Sequence, residues 1–175
     1  MNLALIHDVK VWLSASKKAR YSASMTHEAI TAYSNSGNRF VAIAKASNDL
    51  AMAKVPAKDE WNGAFIVHHM ADFEIHFAHR ILRLLTEENP EIVGYSEEPY
   101  PGNLNYAARD WKTSLELIDA TRKTIADVLS RIDANALARP GVHTERGAIT
   151  LHDIVKSAAN HINAHADQLE AALNS

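Results

Sequence analysis

Two histidines stand one helical turn apart near the C-terminal end of the chain, at positions 161 and 165. The surrounding apolar pattern places both on the inward face of a helix. Ten histidines scattered over 175 positions would give about half of one such pair by chance, so the apolar setting is what makes the pair informative. Two buried imidazoles need partners for their ring nitrogens, because an unsatisfied buried polar group costs about 1–3 kcal/mol. One divalent metal ion would satisfy His161 and His165 together.

A third nitrogen ligand is available from His69, which lies on the inner stripe of another helix between Ile66 and Phe73. Helical bundles commonly build metal sites from side chains on facing helices. Residue types and spacing alone leave two interpretations open, a three-histidine metal site and a set of buried structural histidines. His68 is rotated about 100° from His69 and is expected at the helix flank, whereas His76 is expected to pack or to line a pocket.

The remaining five histidines are expected at the surface or in loops, at positions 7, 27, 79, 143 and 152. Three histidines without a protein anion would leave an ion at least one open position, which in zinc sites is typical of catalysis. Asp72, one turn after His69, is the candidate for a carboxylate that orients a ligand or accepts a proton, or else is a solvated surface group. The chain has no cysteine, so a thiolate ligand and a cysteine nucleophile are excluded.

Four long amphipathic segments must position these side chains. They cover about residues 26–47, 62–85, 105–131 and 150–173, with Asn62 as an N-cap and Thr150 and Asp153 as a capping pair. Gly37 inside the first segment is expected to allow close contact between helices. Loops are predicted for 87–103 and 139–147. The pattern predicts an all-α four-helix bundle forming a single domain over 1–175, with a short helix within the N-terminal extension 1–25.

Composition restricts the partners. A formal charge of −3, with 18 basic and 21 acidic residues, gives no electrostatic surface for nucleic acid. No run approaches the roughly 18 apolar residues of a membrane helix, so no membrane association is expected. The first residues lack the pattern of a secretory signal, and a cytoplasmic location is therefore expected.

Two histidine segments resemble the DinB/YfiT superfamily of metal-binding four-helix bundles, most closely its YfiT branch. Trp61 followed by the segment from Val67 to Asp72 is similar to the W…HHxAD signature of that branch, and the pair at 161 and 165 is similar to the histidines of its last helix. The Leu84–Pro90 stretch and the Tyr95-x-Glu97-x-x-Tyr100 segment are similar to the loop after the second helix. The resemblance implies an up-down-down-up bundle, metal ligands at His69, His161 and His165, and a homodimer.

The resemblance also implies an enzyme that acts on a small-molecule substrate. It would bind one divalent transition metal, for which zinc and nickel are the first candidates. The ion would activate either a low-molecular-weight thiol, giving an S-transferase in stress response, or water, giving a hydrolase. The absence of cysteine fits thiol transfer, because no protein thiol would compete for the ion. The alternative is a non-catalytic bundle in which the ion joins two helices or a ligand is bound. Nucleic-acid binding is disfavoured by the charge.

Overall fold

A computed structural model describes residue 24 and residues 27–175 of the chain. Four long helices form a bundle, namely α1 over 27–45, α3 Gly63–Thr86, α5 Trp111–Ser130 and α6 Leu151–Leu173. This confirms the predicted all-α four-helix bundle. The short helix predicted within residues 1–25 falls outside the described residues, apart from residue 24. The single domain over 1–175 stays a prediction. No helix in the described part is long and apolar enough to cross a membrane.

The direction of each long helix follows from two clusters of buried apolar residues. We call the cluster around Tyr33 and Leu129 the lower core, and the cluster around Phe40 and Ile118 the upper core. Helices α1 and α6 run from the lower core to the upper core, whereas α3 and α5 run from the upper core to the lower. The bundle therefore has the expected up-down-down-up order. Along α3, Met70 of the upper core precedes Leu84 of the lower core. Along α6, Ile154 of the lower core precedes Ile162 of the upper core.

Because α3 and α5 run in the same direction, the chain between them must return along the length of the bundle. This return contains short elements, namely strand β1 Glu91–Ile92, helix α4 Tyr100–Asn103 and a 3-10 helix Tyr106–Ala108. Arg109 and Asp110 both have extended backbone conformations, so α5 begins at Trp111 rather than near residue 105. At the upper core, helix α2 Asp49–Ala53 connects α1 to α3.

A small three-stranded sheet occupies parts of the two segments that were predicted as loops, and its last strand continues from Gly147 to Thr150. Strand β1 pairs in parallel with β2 Pro140–His143, which forms an antiparallel hairpin with β3 Gly147–Thr150. A second 3-10 helix, Ala134–Ala138, precedes β2. Strands of two to four residues are too short for alternation of polar and apolar residues to show in the sequence. The sheet closes the lower end of the bundle and leaves its helical class unchanged.

The helix starts are defined by side-chain caps. The Asn62 side chain accepts a hydrogen bond from the backbone N–H of Phe65, as its position in the sequence predicts. Thr150 and Asp153 form a reciprocal capping box at the start of α6, which is the second predicted cap. The Asp110 side chain caps α5 by accepting from the backbone N–H groups of Lys112 and Thr113. These caps satisfy amides that the first turn of each helix would otherwise leave without partners.

A layer containing a buried ion pair separates the upper core from the lower core. The Arg122 guanidinium on α5 donates to Glu74 Oε1 on α3 at 2.6 Å, to the Tyr33 carbonyl on α1 at 3.2 Å and to the Ala158 carbonyl on α6 at 2.9 Å. The Arg122 and Glu74 side chains are only 5% and 0% exposed. A Cβ atom at Gly37 would lie 3.1 Å from Arg122 Cδ, which explains the predicted close approach at that glycine. One side chain thus connects all four helices.

Removing only one member of this pair should destabilise the bundle strongly. Arg122→Met would leave the Glu74 carboxyl buried without its cation, and we expect a loss of about 3–5 kcal/mol in the free energy of unfolding. Burial already raises the pKa of Glu74, and the Arg122 charge opposes that rise. Urea denaturation of the metal-free protein at neutral pH measures the effect.

The matched control is the double variant Glu74→Met with Arg122→Met, which removes both charges at similar volume. It should be clearly more stable than Arg122→Met alone, because no unpaired charge remains buried. Equal destabilisation of the single and double variants would show that the ion pair is not the source of the effect.

Candidate metal centre

Three histidines from two helices meet at the surface between α3 and α6. Nε2 of His69 lies 3.2 Å from Nε2 of His161, and one nitrogen from each of His69, His161 and His165 lies within 4.8 Å of the other two. The centroids of the His165 ring and the other two rings are 4.6 Å and 4.5 Å apart. The two helices thus bring the three predicted ligands together.

The helices place these rings through their buried neighbours. On α6, Ala158, Ile162 and Ala166 are fully buried, so positions 161 and 165 lie at the border of the buried face and are half-buried. On α3, His69 is 4% exposed between the buried residues Ile66 and Met70. The cluster is therefore closed toward the core and open along α6.

Aromatic side chains hold two of the three rings. Phe73 stacks on His161 with ring centroids 3.8 Å apart and an angle of 14° between the planes. The His69 ring contacts Trp61 and Phe73, with centroid distances of 5.2 Å and 5.5 Å. His165 has no aromatic neighbour in the described part of the chain other than these two histidines, and its Nδ1 lies 2.7 Å from Oε1 of Gln168.

Burial keeps the three rings neutral at neutral pH. It lowers the pKa of His69 to about 4, with a further contribution from the neighbouring His165. It lowers the pKa of His161 to about 3, helped by His165, His69 and Arg122, and it also lowers the pKa of His165. Neutral imidazole has a free lone pair on one nitrogen, which is the form that binds a metal.

The donor set fits a divalent transition metal. Nitrogen ligands at the usual zinc distance of about 2.0–2.1 Å are separated by about 3.3 Å in a tetrahedral arrangement. The Nε2 atoms of His69 and His161 lie 3.2 Å apart. Three neutral nitrogens and no thiolate match the softness of zinc, nickel or copper ions.

A cleft of about 650 Å³ opens beside His165 and Trp61. Its walls combine apolar and polar groups, and its charged side chains are acidic. It is lined by Pro56, Asp59, Glu60, Trp61, His165, Gln168, Ala171, Ala172 and Ser175. A small molecule in this cleft would contact the edge of the histidine cluster.

Asp72 points into a hydrogen-bond network beside the cluster. Its carboxylate accepts from Tyr106 Oη at 2.7 Å and from Arg109 Nη1 at 2.8 Å and 3.0 Å. In the described residues it makes no hydrogen bond to His69, although its negative charge raises the pKa of that ring against the effect of burial. The role of Asp72 as an orienting group or base stays a prediction.

His68 corrects one expectation. Its ring is fully buried instead of lying at the helix flank, and its Nδ1 is 2.8 Å from Ser114 Oγ on α5. Burial lowers the pKa of His68 to about 4. The signal for this was present in the sequence, because Val67, Met70 and Ala71 make α3 apolar on more than one face.

The structure also differs from the expectation for His143. It was expected at the surface or in a loop, but it is 3% exposed and lies in β2, the middle strand of the unpredicted sheet. His76 packs as expected, stacked on Tyr95 at 3.7 Å with its Nε2 2.9 Å from Tyr100 Oη. The histidines at 27 and 79 are exposed, the one at 152 is half-buried, and the one at 7 lies outside the described residues.

The histidine cluster and the order of the helices agree with comparisons to known proteins. The sequence profile of the DinB superfamily matches residues 32–169, which is most of the chain. The chain belongs to the DinB superfamily. This confirms the resemblance that the two histidine segments indicate.

Individual relatives carry names that refer to metal dependence. A protein of Halalkalibacterium halodurans named "Putative metal-dependent hydrolase" is 23% identical over 136 residues, covering 78% of this chain and 79% of the relative. A protein of Oceanobacillus iheyensis with the same name is 23% identical over 150 residues, covering 85% of each.

Two solved structures from Bacillus subtilis share the fold. YfiT, described as "a probable metal-dependent hydrolase with an unusual four-helix bundle topology", superposes with a TM-score of 0.69 at 21% identity, over 83% of this chain and 85% of YfiT. A DinB-like protein superposes with a TM-score of 0.57 at 14% identity, over 84% of this chain and 90% of that one.

Each ligand histidine should be required for full metal binding. Purified untagged protein should contain close to one transition metal ion per chain, and His161→Ala or His165→Ala should retain only a small fraction, because two nitrogens hold an ion poorly. Elemental analysis after gel filtration measures the content. The control is His79→Ala, which removes an exposed histidine from α3, the helix that carries His69. This variant should retain the metal. Full metal content in both α6 variants would exclude this site.

Without metal, stability should depend on pH through the buried histidines. The folded pKa values of His68, His69 and His161 are depressed below the ordinary value of 6.5. Their contribution to stability is therefore present above pH 6.5 and lost as the pH falls toward 4, because the unfolded chain binds more protons. We expect on the order of 1–2 kcal/mol per ring by about pH 5.

Urea unfolding of chelator-treated protein at pH 7 and pH 5 measures this dependence. His69→Leu should have a shallower dependence on pH than the parent, whereas His79→Ala should leave it unchanged. A parent protein equally stable at both pH values would contradict the assignment of these rings as buried and neutral.

Proposed function

We propose that this chain is a metal-dependent enzyme in which His69, His161 and His165 hold one divalent ion, with zinc or nickel as the first candidates. The observation that carries the proposal is the meeting of three neutral imidazoles, two with Nε2 atoms 3.2 Å apart, at the wall of an open cleft. A purely structural pair of buried histidines would not require a third imidazole beside it. The names of two relatives support metal dependence.

The proposed reaction is the attack of an activated nucleophile on a small electrophile in the cleft. A divalent ion acts as a Lewis acid, lowering the pKa of a water molecule or thiol that it binds. The protein residues hold the site in place. Phe73 fixes the plane of His161, and the Trp61 ring provides an apolar wall against which the body of a substrate packs.

Two nucleophiles are compatible with this arrangement. A low-molecular-weight thiol would make the chain an S-transferase, and the absence of cysteine supports this because no protein thiol competes for the ion. Water would make it a hydrolase, which the printed names of the relatives support. Dependence of the rate on added thiol distinguishes the two.

Asp72 is proposed to act beside His69. Tyr106 and Arg109 hold its carboxylate in one position, from which its charge acts on the His69 ring. A carboxylate fixed in this way orients a ligand or accepts a proton from the nucleophile. We further propose a homodimer as the assembly.

The proposal is tested by activity and melting temperature with and without a chelator. We expect turnover of a generic electrophile by the metal-loaded protein, rising between about pH 6 and 8 as the nucleophile loses its proton. A panel of low-molecular-weight thiols is added to one series and omitted from the other. Chelation should abolish turnover, and restoring the metal should recover it.

Asp72→Asn distinguishes the two roles of that carboxylate. If Asp72 accepts a proton, the variant should lose more turnover than metal. If Asp72 only orients His69, the variant should lose metal. His79→Ala serves as the unaffected control. A melting temperature that falls on chelation, with no turnover under any thiol or ester at any pH, would support the non-catalytic alternative in which the ion joins α3 and α6.

A further inference from the structure

The three candidate ligand rings are held in different ways. His69 and His161 lie among aromatic rings, which restrict their orientation by packing. His165 lies at the cleft, where its described ring neighbours are the other two histidines alone. A half-exposed imidazole without such packing is free to rotate about its side-chain bonds unless a hydrogen bond fixes it. That hydrogen bond comes from Gln168.

Gln168 follows His165 by three positions on α6, so the two side chains lie on the same side of the helix. Oε1 of Gln168 lies 2.7 Å from Nδ1 of His165. An amide oxygen only accepts hydrogen bonds, so Nδ1 must carry the proton in this contact. The lone pair of the neutral ring then belongs to Nε2, which is the nitrogen left to bind an ion.

We propose that Gln168 is a positioning residue that holds His165 in the tautomer and ring orientation in which Nε2 binds the metal. This inference rests on the proposed metal site. In the described residues no hydrogen bond is made to Nδ1 of His69 or His161, so Gln168 is the hydrogen-bonding group that orients a ligand of this cluster. Groups that bond the far nitrogen of a ligand histidine commonly change metal affinity by about 10–100-fold.

The exposure of Gln168 makes the inference testable without disturbing the core. Its side chain is at the surface and lines the cleft. Truncating it removes no buried apolar contact, so the metal-free bundle should melt at the temperature of the parent. An effect on metal binding is therefore separable from an effect on folding.

The experiment measures zinc affinity of the full-length protein by competition with a chromogenic chelator. Gln168→Ala should weaken zinc binding about 10–100-fold, because His165 loses its fixed tautomer and orientation. Gln168→Glu should bind zinc at least as tightly as the parent, since a carboxylate can only accept from Nδ1–H and makes the ring a stronger donor.

Asn163→Ala is the matched control. Asn163 is an exposed amide on the same helix, between the two ligand positions, and its side chain accepts from Arg39 at 3.0 Å instead of contacting a ligand ring. Its removal should leave zinc affinity unchanged. Equal weakening in Asn163→Ala and Gln168→Ala would overturn the inference, because the effect would then belong to α6 in general.

A second readout concerns the tautomer itself. Long-range proton–nitrogen NMR spectra of the metal-free protein should show His165 protonated at Nδ1, and this preference should be lost in Gln168→Ala and retained in Gln168→Glu. Unchanged zinc affinity in Gln168→Ala, or His165 protonated at Nε2 in the parent, would overturn the inference. Absence of zinc binding by the parent would instead overturn the metal site itself.

Discussion

A charge buried in the middle of the bundle constrains how the four helices pack. The Arg122 guanidinium is a buried cation, so it must find hydrogen-bond acceptors where no water reaches it. It finds a carboxylate on α3 and backbone carbonyls on α1 and α6. Sliding one long helix along another would break one of these bonds and so remove a hydrogen bond from a buried charge. The polar layer therefore contributes to the register in which the four helices pack.

The histidine cluster lies within one turn of this layer and depends on the same register. Ala158, which accepts from Arg122, precedes His161 by three residues, and Glu74 follows Phe73, the ring that stacks on His161. A longitudinal shift of α6 against α3 by one helical residue, about 1.5 Å, would separate the two Nε2 atoms that now lie 3.2 Å apart. The metal ligands can thus be brought together by helices that are already aligned, before any ion is bound.

The up-down-down-up order explains why adjacent histidines have different roles. Helix α3 packs between α5 and α6, so two neighbouring positions rotated by about 100° both face inward. His68 turns toward α5 and bonds to Ser114, whereas His69 turns toward α6 and meets the other ligands. In each case burial keeps the imidazole neutral, but one ring has a protein partner and the other has a nitrogen available for an ion.

The sequence by itself determined the four helices, their caps at Asn62 and Thr150, and the three histidines on inward faces. These depend on local rules, namely the helical period and the satisfaction of amides in the first turn. Only the tertiary structure decided that His69 meets His161, that His68 is buried, and that His143 is buried in a strand of a small sheet. Each of these depends on which segments are neighbours, and it joins residues between 46 and 92 positions apart. Neither a period nor a spacing along one segment carries that information, because contacts between distant segments are set by the packing of the whole bundle.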